Sequence, residues 1–339
     1  MSIQQDVAQA IANDPGVVML LGAPDRGKTS WCLRLANELV RMGTRVALVD
    51  ADIGQSDLGP PATMAMSHVG QELAAWQELR PQASFFVGTT SPPGAEGWCV
   101  AGVTRMVQAA RKGSDVVLVD TTGLVSGPHG RHLKGAKLEA LLPRHVVAVE
   151  QQHELAVLLK GWPVPPERVW RVPSPRGMKR RDALLRRELR QAAFKRYWHD
   201  AEARRLQVKG LGRWRTRWGS GTPLSARERE TYQERYREEL VYAEENDQGI
   251  WAVTKAVHKP RRTPGVFWAQ GPSFCNLLVA VVGEDPDAIT VGTLEEVNWD
   301  TGEVALFSPP FDDLTGLIFG FMRVDRSGRE LGRLRPEDI

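Results

Sequence analysis

An apolar run, Val17–Leu21, passes directly into Gly22-Ala23-Pro24-Asp25-Arg26-Gly27-Lys28-Thr29-Ser30. Residues 28–42 then carry Trp31, Leu35, Leu39 and Met42 at helical spacing, and Gly43 supplies a stop. This is the pattern G-x-x-x-x-G-K-[ST] in the context it requires, a strand before and a helix after. Backbone N–H groups of such a glycine-rich turn converge with the helix N-terminus on phosphate oxygens. Residues 22–30 are therefore expected to bind a nucleoside triphosphate. Lys28 would bridge its β- and γ-phosphates and the Thr29 hydroxyl would ligate Mg²⁺.

The rest of the first half fits the fold that this loop demands. Strands are expected at Arg45–Val49, Ser84–Val87, Val116–Val119, His145–Val149 and Val169–Val172, with helical patterns at Ala95–Arg111, His132–Leu142 and Glu154–Leu159. Alternation of this kind predicts an α/β fold, a P-loop NTPase with a mostly parallel sheet flanked by helices. Ligands then sit beyond the carboxyl ends of the strands. From Met178 to about Asp200 the pattern becomes one long basic helix. Beyond residue 200 short strand-like runs (265–269, 277–282, 289–294, 304–307 and 317–324) alternate with turns such as Asp300-Thr301-Gly302, which predicts a smaller β-rich domain. The expected organisation is thus a P-loop domain over 1–200, with the basic helix at about 178–200. A β-rich domain follows over 201–339, bridged by a helical-looking acidic stretch at about 225–247.

Two further strand ends are rich in carboxylates. Asp120 closes Val116–Val119, where a carboxylate supports Mg²⁺ in P-loop proteins. Asp50 and Asp52 close another, in Asp50-Ala51-Asp52-Ile53-Gly54-Gln55. One carboxylate suffices to help a metal, so a second is available to take a proton from an attacking hydroxyl or to orient a water. Capping of the following turn is the structural alternative for either residue. Thr29 and Asp120, with Asp50 or Asp52, are the candidate metal ligands, and the remaining carboxylate of that pair is left for the proton.

Charge adds a partner class. The chain carries a net +3, yet between Arg171 and Arg217 there are 16 Lys/Arg against 4 Asp/Glu. A basic block in an otherwise acidic chain points to a polyanion. Within it, Arg186 and Arg190 are four apart on one helix face, and Arg181 lies about a turn earlier. Forked guanidinium donors suit the charge spread over a phosphoryl group in transfer, so these three would act as a lid if the helix folds over the nucleotide; a solvated helix face is the alternative, and the favoured one for such a helix standing alone. Tyr197, Trp198, Trp214 and Trp218 interleave the block. Stacking on bases and packing in a domain core are the two readings, the second preferred for Tyr197 and Trp198. No apolar run reaches the roughly eighteen residues of a membrane span. The N-terminus lacks a secretory pattern, and three scattered cysteines fit a reducing, cytoplasmic setting.

Taken together, these segments resemble the polynucleotide 5′-hydroxyl kinases of the Clp and Grc type. Gly22–Ser30 looks like that family's P-loop, which often has an acidic residue where Asp25 stands. Asp50–Gln55 is similar to its carboxylate-x-Asp-x-Gly-Gln motif, Phe86-Val87-Gly88-Thr89-Thr90-Ser91-Pro92 to its Gly-x-x-Ser/Thr-Pro strand end, and Thr121-Thr122-Gly123-Leu124 to its clasp. The lid arginines share its five-then-four spacing. Leu277–Val282, Gly292–Val297 and Arg329–Gly332 resemble the tail of its shorter members.

The resemblance implies transfer of the γ-phosphate of ATP, with Mg²⁺, to the 5′-hydroxyl end of RNA or DNA. Asp52 would be the general base, with Lys28, Arg181, Arg186 and Arg190 as the other catalytic groups. Gln55, Thr89, Thr121, Thr122 and Gly123 would lie at the acceptor end. GTP stays open as a donor. Leu124 departs from the family's usual clasp tryptophan. Only about sixteen residues precede the first strand, so the extra N-terminal domain of eukaryotic members is expected to be missing. Two other readings remain: a nucleotide-gated regulatory or assembly ATPase or GTPase, and a non-catalytic nucleic-acid-binding module that retains ATP.

Overall fold

The structure is a computed structural model describing residues 2–161, 164–175, 177, 180–256 and 263–339. The chain divides into two compact units, Met1–Arg190 and Gln191–Ile339. The division falls inside the basic helix, about ten residues before the boundary expected from the sequence.

In the first unit seven strands, β1 (Val17–Leu21), β2 (Val46–Ala51), β3 (Thr63–Val69), β4 (Ala83–Phe86), β5 (Val116–Thr121), β6 (His145–Glu150) and β7 (Val169–Pro173), form one sheet in the order β4-β3-β2-β5-β1-β6-β7. The five strands from β2 to β7 in that order run parallel, while β3 is antiparallel to both β2 and β4. Its helices are α1 (Ile3–Asn13), α2 (Lys28–Arg41), α3 (Glu96–Ala110), α4 (Gly127–Leu141) and α5 (Ala156–Lys160). The last helix, α6 (Ala183–Tyr197), runs on past the division into the second unit.

Both faces of the sheet are covered. Val17, Met19 and Leu21 of β1 belong to one buried cluster, with Val117 and Val119, and Val18 and Leu20 belong to another, with Val116 and Leu118. A strand buried on both sides reads as continuous Val, Leu and Ile rather than as an alternation, which is why β1 and β5 were legible. β3 (TMAMSHV) was not. It is buried at every position but one, yet Met, Ala, Ser and His carry little β-propensity. β1 is the fifth of the seven strands, between β5 and β6, where the direction of winding reverses, and the P-loop leaves from its carboxyl end.

The second unit holds two mainly antiparallel sheets. Strands Leu240–Asn246 and Gly249–Thr254 form a hairpin flanked by Thr222–Pro223 and Val266–Gln270. The larger sheet is built around Gly316–Val324, Leu277–Val282, Ile289–Asn298 and Glu303–Ser308, and their buried residues Phe319, Val279, Leu294 and Leu306 share one core with Phe274, Trp218 and Trp251. The acidic stretch 225–247 is not a helical bridge. Its first half is a helix, Ala226–Tyr236, started by a Ser225–Glu228 capping box and ended by Arg237 at φ 56°. Its second half is the strand Leu240–Asn246. Acidic composition hid the strand because Glu244 points inward and is 1% exposed.

Candidate active site

The phosphate loop is shaped by backbone that most residues avoid. Gly27 lies at φ 81° and Asp25 at φ 60°. A Cβ on Gly22 would come within 2.6 Å of the Val149 carbonyl oxygen, so only glycine lets the loop cross the end of β6. Lys28 is buried, and its Nζ donates to the Ala23 carbonyl at 3.1 Å, folded back on its own loop. Burial lowers its pKa, opposed by the charges of Asp120, Asp52 and Asp25. Those same neighbours place the two carboxylate loops around the lysine. Pro24 and Ser30 are exposed. Arg26 is drawn away toward α5, its Nε donating to Glu154 at 2.7 Å.

Thr29 donates its hydroxyl proton to Asp120 Oδ2 at 2.6 Å. The other oxygen, Asp120 Oδ1, is buried with no hydrogen-bond partner. Burial pushes the Asp120 carboxyl up to about 6, against the pull of Lys28 and of the Thr29 hydroxyl. A hydroxyl and a half-satisfied carboxylate side by side are what a phosphate-bound Mg²⁺ asks of a protein. Among the described residues no group of three or more His, Cys, Asp or Glu could hold a metal by itself. The donor set therefore fits an ion carried mainly by nucleotide phosphates, with Thr29 and Asp120 beside it.

Asp50 and Asp52 divide differently from the expectation. Asp50 Oδ1 accepts the N–H of Asp52 at 3.0 Å, and Oδ2 accepts the Ser56 hydroxyl and the N–H groups of Asp57 and Leu58 at 3.0, 2.7 and 3.1 Å. Both oxygens are thus committed to the turn, and Asp50 takes the capping role rather than a metal-ligand one. Its carboxyl is pushed up to about 8, first by burial and then by the charges of Asp120 and Asp52. Asp52 keeps a free end. Oδ1 accepts from Gly54 and Gln55 N–H at 3.0 and 3.3 Å, while Oδ2 has no partner among the described residues.

The basic helix is shorter than its pattern. It starts at Ala183, with Asp182 accepting from the N–H of Leu185 at 2.8 Å, and the expected residues 178 and 179 lie outside the described set. Arg181 therefore precedes the helix. Its main-chain N–H and the Nη2 of Arg186 both donate to Asp25 Oδ2, at 2.9 and 2.6 Å, and its Nη1 donates to Gln55 Oε1 at 2.8 Å. Arg190 is half-buried one helical turn further on.

The residues assigned to the acceptor end separate. Gln55 lies beside Asp52 with its Nε2 buried and unpartnered. Thr89 is fully buried, its hydroxyl bonded within its own turn to Ser91. Thr121 is also buried and donates to the Leu20 carbonyl at 2.7 Å, tying β5 to β1. Neither side chain is open to a substrate, so their part is to shape backbone. Gly123 is a close approach: a Cβ there would stand 2.7 Å from both the N and Cα of Pro24 in the P-loop.

Thr122 introduces a residue that the sequence reading missed. Lys134 of α4 is fully buried, and its Nζ donates to the Thr122 carbonyl at 2.6 Å and to its hydroxyl at 3.0 Å. Three residues on, Lys137 is equally buried with no partner for its Nζ. Burial lowers the pKa of both. Lys134 and Lys137 stand on α4 at i, i+3 among Gly, Leu and Ala, a spacing that gives a helix one face; an internal lysine leaves no other mark in a single sequence.

In the second unit the aromatic residues resolve one by one. Trp198 is 4% exposed and donates to the Val291 carbonyl at 2.9 Å, and the Tyr197 hydroxyl accepts from the N–H of the same residue at 3.0 Å. Trp218 is 3% exposed, with the Arg213 guanidinium 5.2 Å from its ring centroid. Trp198 and Trp218 are core, and Tyr197 is half-buried beside them. Trp214 is 45% exposed.

Comparison with known proteins finds related chains. The family model for the P-loop of the mRNA cleavage and polyadenylation factor CLP1 matches residues 22–200. A protein of Thermococcus kodakarensis named polyribonucleotide 5′-hydroxyl-kinase is 33% identical, over 96% of this chain and 93% of its own. One of the same name from Pyrococcus horikoshii is 30% identical over 95% and 90%. The solved structure of a Clp1p-Pcf11p complex superposes with a TM-score of 0.61 at 14% identity, covering 94% of this chain and 77% of the matched chain. At that identity the likeness shows the fold alone. The phosphate loop, the Asp-x-Gly-Gln turn and the arginine helix all fall within the matched span, and the chain belongs to the CLP1 P-loop family.

Proposed function

We propose that this chain transfers the terminal phosphate of ATP to the 5′-hydroxyl end of RNA. The observation that carries the reading is the convergence on Lys28. Asp52, Asp120, Asp25 and Arg186 are all electrostatic neighbours of its ammonium. Asp52 among them is held by one oxygen and has the other free. Archaeal relatives over nearly the whole chain carry the matching name.

In this reading Lys28 exchanges the Ala23 carbonyl for phosphate oxygens, with the P-loop N–H groups. Mg²⁺, held beside Thr29 and Asp120, would supply charge neutralisation on the phosphates. Asp52 Oδ2 takes the proton of the 5′-hydroxyl as that oxygen bonds to the γ-phosphorus, and the bond to the β-phosphate oxygen breaks to leave ADP. Arg186, Arg181 and Arg190 stabilise the charge spread over the transferring group. Gln55 Nε2, without a protein partner, supplies a donor for the acceptor strand. The free cysteines Cys32, Cys99 and Cys275 support a reducing compartment such as the cytoplasm. No helix among the described residues is long and apolar enough to cross a membrane.

The test is incubation with γ-labelled ATP, Mg²⁺ and 5′-hydroxyl RNA, with DNA in parallel. Label on the RNA, lost in Asp52→Asn, is expected. Release of phosphate with no label on either nucleic acid would replace the kinase by a nucleotide switch.

A further inference from the structure

One carboxylate joins the donor loop, the lid and the acceptor loop. Asp25 stands at the crest of the phosphate loop in the left-handed region, which Asp and Asn tolerate better than other residues with a Cβ. Its side chain is 6% exposed, against 43% and 32% for Arg181 and Arg186. Burial disfavours its charge, but the Arg181 N–H and the Arg186 guanidinium hold its pKa below the usual carboxylate value. The bonds form a chain across the site. Asp25 Oδ2 binds the main chain of Arg181 and the side chain of Arg186, and Arg181 continues to Gln55 Oε1.

We propose that Asp25 is the positioning residue of the arginine lid, seating Arg181 and Arg186 over the phosphate loop before the nucleotide arrives. A guanidinium has five N–H donors. One donated to Asp25 anchors Arg186 and leaves the rest for phosphate oxygens, so less ordering remains for the transition state. The same anchor reaches the acceptor side. Because Arg181 takes the oxygen of the Gln55 amide, the amide's nitrogen is the end left without a partner. Asp25 thus sets which end of Gln55 is offered to the acceptor. This inference rests on the phosphoryl-transfer reading for its kinetic part only.

Two variants test it. Asp25→Asn keeps size and backbone preference, and Asp25→Gly keeps the backbone while deleting the side chain. Limited trypsin digestion of the full chain without nucleotide reads the lid directly. Cleavage after Arg181, Arg186 and Arg187 is expected to quicken about tenfold in Asp25→Gly, with the melting midpoint unchanged within about 3 °C. With labelled ATP, Asp25→Asn is expected to lower kcat about tenfold while KM for ATP moves less than about threefold. In a double-variant cycle, Arg186→Ala then costs no more than about a further twofold on the Asp25→Asn background. Unchanged cleavage in both variants, or rate effects that simply multiply, would overturn the proposal. The digestion needs no turnover, so loss of the kinase reading and loss of the lid reading give different results.

Discussion

The two units use charged residues in opposite ways. In the second unit the buried charge of Glu244 is consumed internally. Glu244 is buried, and its two oxygens accept from the N–H groups of Gly219 and Ser220 and from the Tyr242 hydroxyl, at 2.8 to 3.0 Å. Arg213 and Arg217 lie over the rings of Trp218 and Phe267. In the first unit the buried groups at the strand ends are left half-made. Asp120 Oδ1 and Gln55 Nε2 have no partner, and Lys28 reaches only a carbonyl of its own loop. A buried polar atom without a partner costs about 1–3 kcal/mol, so a cluster of them marks a site that something else completes. A basic count cannot make that distinction, because sixteen cations between 171 and 217 include stacked, paired and lid residues alike.

The sharpest way to break the contrast is Lys28→Ala. Labelling of RNA is expected to fall by about three orders of magnitude or more while the fold persists, since the only hydrogen bond of the lysine's Nζ among the described residues is to the Ala23 carbonyl of its own loop. Asp52→Asn comes next, with kcat down about 10²- to 10⁴-fold and ATP affinity nearly unchanged by equilibrium titration. Equal losses in binding and turnover would make Asp52 a scaffold residue like Asp50.

Glu244→Ala tests the other side. It is expected to cost about 2–4 kcal/mol in denaturant unfolding, because two backbone N–H groups lose their acceptor, while activity per folded molecule holds. A smaller shift is expected from pH. Burial lifts Asp120 to about 6 and Asp50 to about 8. The unfolded chain then releases these protons first, so the contribution of these two groups to stability is fullest below about pH 4 and declines as pH rises toward 8. Melting curves at pH 5 and 8 should show this, and Asp50→Asn should flatten the slope; a slope unchanged in that variant would deny Asp50 its part. The smallest effect belongs to Trp214→Ala. Melting should move by no more than about 2 °C, while single-stranded RNA binding weakens about fivefold if a base stacks there.

Much of the site could be read without coordinates because its chemistry is local. The P-loop, Asp50–Gln55 and Asp120 each follow an apolar strand, and a strand end followed by Gly, Asp or Thr is a short-range signal. Three things were not local. Asp50 and Asp52 are alternate residues of one turn, and only the hydrogen bonds show that one caps and the other is free. Thr89 and Thr121 look like substrate contacts in sequence, but their hydroxyls are spent on the framework. Lys134 and Lys137 left no signal beyond their i, i+3 spacing, since exposure is decided by α3 packing against α4 rather than by neighbours in the chain.

Those two lysines give the protein a chemical clock. At zero exposure, neither amine can meet an acylating reagent in solution while the packing around α4 stays closed. A mass-spectrometric time course that resolves Lys134 from surface lysines would report how often the strand end beneath the P-loop comes open. Because Lys134 holds that turn by two bonds, each modification would also record an opening that cannot close again.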